Sequence, residues 1–145
     1  MTARRLVLLA LGTVLLALVA VPAMAQDVVV TGPPPELRKN LDAFVKAFNS
    51  GNPVEFEAMA KTVFTVEYLK RQTADDRKKA YLKMHTDFGT VQIGRVERNG
   101  PDAPLQAFVK GSVASGVLWI DLDDASRIDG IKAEVTKKTD ANRRH

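Results

Sequence analysis

The chain has 145 residues, 46% of them hydrophobic, which is enough to build one domain of ordinary size around a single core. It has no cysteine, which excludes disulfides, thiolate catalysis, thiolate metal sites and a lipid-modified cysteine. The formal charge of +4 lies outside the middle of the chain, where 15 basic and 15 acidic residues balance between Glu36 and Val135; that excludes the basic footprint a nucleic-acid backbone demands.

The first 25 residues read as a signal peptide. Arg4 and Arg5 precede an apolar run from Leu6 to Ala20, and Ala23-Met24-Ala25 supplies a small-x-small cleavage site before Gln26. A membrane anchor is the competing reading, because the run approaches the length of a span. Cleavage after Ala25 predicts an exported protein, periplasmic or secreted, with no stable membrane anchor. Residues 26–35, with Val28-Val29-Val30 and then Pro33-Pro34-Pro35, read as a flexible Pro-rich segment. The valine triplet could instead add as an edge strand.

Leu37, Leu41, Phe44, Val45 and Phe48 fall at i, i+4, i+7, i+8 and i+11, one stripe of an amphipathic helix. Gly51 stops it, and Asn52, Pro53 and Glu55 start the next. Phe56, Met59, Ala60 and Val63 repeat at helical spacing. Thr65 to Gln72 predicts one or two further turns with Tyr68 and Leu69 inward. Thr73 caps a longer helix with Tyr81, Met84 and Phe88 on its apolar side, Ala80 beside them, and Gly89 at its end.

From Thr90 the apolar period changes from 3.6 to 2. Thr90 to Arg98, Leu105 to Gly111, Gly116 to Leu122 and Ile128 to Val135 are four strand candidates with short turns between them, an antiparallel meander. The fold class this predicts is α+β: N-terminal helices on a curved, four-stranded or slightly larger antiparallel sheet, cone-like, over residues 36–135. Residues 136–145 read as a disordered basic tail.

The AFNSGNP corner (Ala47 to Pro53), the FGTVQIGRV stretch (Phe88 to Val96), VLWIDL (Val117 to Leu122) and RIDGIKAEV (Arg127 to Val135) together resemble the nuclear transport factor two-like superfamily. The likeness is to its exported bacterial branch, which occurs alone or beside serine-hydrolase-type domains. The resemblance implies a cone of helices against a bent sheet. Its members range from isomerases and dehydratases to non-catalytic binding and dimerisation modules, so it assigns no activity and no catalytic residue.

Chemistry-bearing residues are sparse. The stretch GSVASG lacks the spacing of a nucleophile elbow, and of two histidines only His85 lies within the domain. Asp121, Asp123, Asp124 and Asp129 do not fit a calcium loop and read as a solvated turn. No metal and no cofactor is expected. His85, the one weak candidate for a general base, is predicted to face the sheet or the rim of a cone pocket, with Tyr68 and Tyr81 as further pocket residues. A satisfied core histidine is the plainer reading.

The sheet carries a sharper signal. Leu118, Ile120 and Leu122 alternate with Val117 and Trp119, and Leu105, Ala107 and Val109 alternate with Phe108, so both faces are partly apolar. One face is expected to pack on the helices. The other, with Phe108, Val117 and Trp119, is either a contact surface or is covered by Arg and Lys stems and the chain ends. The resulting expectation is an exported, non-catalytic interaction or ligand-binding domain, homodimeric or bound to a protein partner through the open sheet face, with a small apolar ligand as a further candidate. Two alternatives are an isomerase- or dehydratase-type enzyme using the cone pocket, and an accessory module for a separate envelope hydrolase.

Overall fold

A computed structural model describes residues 32–138; the expected signal peptide, most of the Pro-rich segment and residues 139–145 lie outside the described residues. Four helices precede four strands: α1 (Pro35–Asn49), α2 (Pro53–Val63), α3 (Val66–Arg71), α4 (Ala74–Phe88), β1 (Val91–Arg98), β2 (Leu105–Gly111), β3 (Ala114–Leu122) and β4 (Ile128–Lys138). The strands form one antiparallel sheet in the order β1-β2-β3-β4, with the helices against one face. The α+β architecture follows from the change of apolar period at Thr90. Among the described residues no helix is long and apolar enough to cross a membrane.

The starts of α2, α3 and α4 each have a side-chain cap. Asn52 accepts a hydrogen bond from the Val54 amide, Thr65 from the Tyr68 amide and Thr73 from the Asp76 amide, so side-chain oxygens satisfy first-turn donors. Gly51, at φ 69°, takes the left-handed conformation between α1 and α2 that a side chain disfavours. The α1 stripe buries Leu37, Leu41, Phe44 and Phe48, and leaves Val45 half-buried. Phe44, Phe48, Phe56 and Tyr81 then build an aromatic cluster in which Phe56 and Tyr81 stack at 4.5 Å and Phe48 meets both edge-on. Each such pair contributes about 0.5–1.5 kcal/mol beyond its area burial.

The sheet places Leu105, Ala107, Val109, Leu118 and Ile120 under the helices, all buried, as the alternation requires. Two boundaries differ from expectation. β3 begins at Ala114, because Ala114 and Ser115 pair with β4, so the β2–β3 turn shrinks to Ser112 and Val113. β4 accordingly runs on to Lys138, three residues past the expected domain end at 135. Asn49 closes one edge: its side-chain amide donates to the Val91 carbonyl at 2.8 Å and accepts from the Val91 N–H at 2.7 Å, acting as a short strand beside β1.

Gly116 lets α4 sit down on the sheet. A Cβ there would lie 2.8 Å from the Phe88 ring and would collide with the Glu134 carbonyl. Gly116→Ala should therefore overpack the α4–β3 contact and cost about 2–3 kcal/mol, read as a lowered denaturation midpoint at unchanged m-value.

Candidate functional site

Two places on the domain combine shape with chemistry. The first is a cleft of about 200 Å³ between α4 and β4. Ala80 and Met84 form its helix wall, Ile131 and Ala133 its strand wall, and Phe56, Phe64 and Tyr68 its inner end. Tyr68 is half-buried, packs edge-on against Phe64 at 4.9 Å, and carries the Arg71 guanidinium 6.0 Å from its ring centre. Burial pushes its hydroxyl pKa up despite the two nearby arginines, so it remains protonated across the neutral range.

The polar groups of this cleft are committed to one another. Arg77 is buried at the start of α4; its Nε donates to Glu57 Oε2 at 2.9 Å and its Nη2 to Glu57 Oε1. Its Nη1 donates to the Leu69 carbonyl at 3.2 Å and to the Gln72 carbonyl. The fork thus ties α2, α3 and α4 together through one guanidinium. At the rim, Lys83 Nζ donates to Asp87 at 2.6 Å. With these charges paired, the walls offer apolar contact, in a volume below the roughly 300–1,000 Å³ of ordinary ligand sites.

The Arg77 hydrogen bonds, against a smaller opposing effect of burial, hold the Glu57 carboxyl below its usual value of 4.5. Hydrogen bonds from Thr65 and Arg71 likewise hold Asp129 below 3.8, joining α3 to the start of β4. A depressed folded-state pKa stabilises above the unfolded value and loses that stabilisation as pH falls through the folded one. Thermal stability should accordingly fall as pH drops below about 4.5, and the fall should be shallower in Glu57→Gln, measured by melting temperature against pH.

His85 does not join Tyr68. Of the three pocket residues expected from sequence, Tyr68 on α3 lines the cleft with Ala80, Met84 and Asp87 of α4, while Tyr81 and His85, one turn apart on α4, face α1 and the α1–α2 corner. The imidazole lies against Phe48 and Tyr81, at ring-centre distances of 5.5 and 5.7 Å, and beside Gly51. Tyr81 is fully buried and its hydroxyl donates to the Phe48 carbonyl at 3.2 Å. The acids of the β3–β4 region are also dispersed. Asp123 accepts from the Ala125 and Arg127 amides and pairs with the Arg127 guanidinium, while Asp129 faces Thr65 and Arg71.

The second place is the sheet face turned away from the helices. Phe108 pairs with Val117 across β2–β3, and Gln106 with Trp119 in the next row. Val117 is buried, whereas Phe108 and Trp119 are half-buried. The register of β1 shifts between Ile93 and Val96, and Arg95 lies with its guanidinium 4.4 Å from the Phe108 ring centre. Arg95 also pairs with Glu97 at 2.8 Å. Lys132 stands opposite Trp119 and Glu134 opposite Val117. The three apolar side chains expected there are thus contiguous, and one arginine lies over their edge.

Arg77 and Glu57 escaped the sequence reading, although Arg77 lies in phase with Tyr81, Met84 and Phe88. A charged residue inside an apolar stripe was the available signal. Compared with known families and curated proteins, the sequence matches no family model and no curated protein.

Proposed function

We propose that this chain is a non-catalytic, exported interaction module that receives a protein partner on the outer face of its sheet. The observation that supports it is the patch of Phe108, Val117 and Trp119, central on the face opposite the helices and rimmed by Arg95, Glu97, Lys132 and Glu134. An aromatic and aliphatic centre with arginine and a rim of both charge signs is the composition of a protein-binding surface. The resemblance to the nuclear transport factor two-like superfamily belongs to the same proposal, since its members include modules of this kind.

A second reading, a small apolar ligand in the α4–β4 cleft, draws on the apolar walls around Tyr68 and Met84. His85 lies on the other side of α4 from the cleft, so the cleft reading does not draw on the histidine. Oxidative footprinting separates the two binding readings. Labelling of Trp119 and Phe108 should fall several-fold when purified protein is placed in an extract of the source cells, while Tyr68 is unchanged. Protection of Tyr68 with Trp119 unchanged would move the function to the cleft.

A further inference from the structure

The outer edge of β4, the last strand of the sheet among the described residues, carries a self-complementary pattern. Val91 directs both its N–H and its C=O to Asn49, away from β2, which fixes the hydrogen-bond phase of the sheet. Following the β2–β3 and β3–β4 registers, Ala107 pairs by hydrogen bonds with Leu118, so Leu118 faces Ala133 without them. Ile131, Ala133 and Val135 therefore direct their backbone groups outward. The same phase accounts for the outward Ile128 carbonyl, which accepts from the Thr65 N–H at 2.8 Å.

Among the described residues that edge is covered only at its start. Thr65 covers Ile128, and the Arg71 guanidinium donates to the Asp129 carbonyl at 2.7 Å. From Ile131 to Val135 no described element pairs with it. Ile131 and Ala133 are half-buried on the helix side, and Val135 is 41% exposed, one of five exposed large hydrophobic residues among those described. Lys132 and Glu134 point to the opposite face, beside Trp119 and Val117.

We propose that two copies of this chain pair antiparallel through this edge, centred on Ala133. In that register Ala133 meets Ala133 and Ile131 meets Val135, each pair exchanging backbone hydrogen bonds, and Lys132 of each copy stands directly opposite Glu134 of the other. Centring on Lys132 or on Glu134 would set like charges opposite, and centring on Ile131 or Val135 would leave both charges without a partner. The charge order Lys-Ala-Glu thus selects one two-fold register, and the exposed Val135 gains an apolar neighbour. The pairing forms a continuous eight-stranded sheet and leaves Phe108 and Trp119 accessible. It shares only the rim charges Lys132 and Glu134 with the outer-face patch, whose apolar centre stays outside the seam.

Sedimentation of the purified protein tests it. Wild type should be dimeric at tens of micromolar and Trp119→Lys should remain so. Ala133→Pro removes a donor that the protomer's own sheet does not use, and should be monomeric with little change in melting temperature. Lys132→Glu and Glu134→Lys should each weaken the dimer about ten-fold, and an equal mixture of the two should recover wild-type affinity, because the mixed pair has opposite charges at both positions. A wild type that stays monomeric at high concentration overturns the proposal. So does a dimer that Trp119→Lys splits, or one that the two charge reversals weaken without recovery on mixing.

Discussion

Arg77→Ala should destabilise the domain by about 3 kcal/mol, lowering its melting temperature by on the order of 10 °C in a thermal scan. The loss comes from the partners the guanidinium leaves behind. Glu57 would lose both donors of a bidentate pair, and the Leu69 and Gln72 carbonyls at the end of α3 would lose theirs. Arg77 is 7% exposed, so water replaces these contacts only after local rearrangement. Arg77→Lys should recover only part of the loss, since one ammonium cannot span the carboxylate and both carbonyls. Glu57→Gln should cost less than Arg77→Ala, because the α3 carbonyls keep their donor.

Tyr81→Ala should cost about 4 kcal/mol in chemical denaturation. Tyr81 is fully buried, stacks on Phe56 and meets Phe48 edge-on, so truncation opens a void at the point where α1, α2 and α4 converge. Tyr81→Phe isolates the hydroxyl and should cost about 1 kcal/mol, for the hydrogen bond to the Phe48 carbonyl. His85 packs on the Phe48 and Tyr81 rings, so Tyr81→Ala should also change its environment, visible as a shift of its imidazole resonances.

The stripe from Leu37 to Phe48 and the alternation in β2 and β3 made the two-layer fold legible, because burial on one face leaves a period that sequence preserves. Phe108, Val117 and Trp119 could be assigned to one face for the same reason. Phase within α4 was harder to read. Met84 and His85 are one residue apart, about 100° around the helix, and which flank of that arc met α1 and which met β4 depended on packing between distant segments. Arg77 sat in phase with the stripe, yet its burial required a carboxylate twenty residues earlier on another helix. Arg95 depended on a register shift in β1, which the regular alternation of its neighbours did not announce. The β2–β3 turn looked longer than it is because Ala114 and Ser115 are poor strand formers whose pairing with β4 decides the matter.

A photoreactive phenylalanine analogue at position 108, made in the source cells, tests the outer sheet face as the partner surface most directly. Position 82, exposed on α4, is the control. Cross-linking to one defined protein from position 108, absent from position 82 and abolished by Trp119→Lys, is the expected result. No adduct from position 108, or the same adducts from both positions, would contradict the assignment of this face as the contact surface.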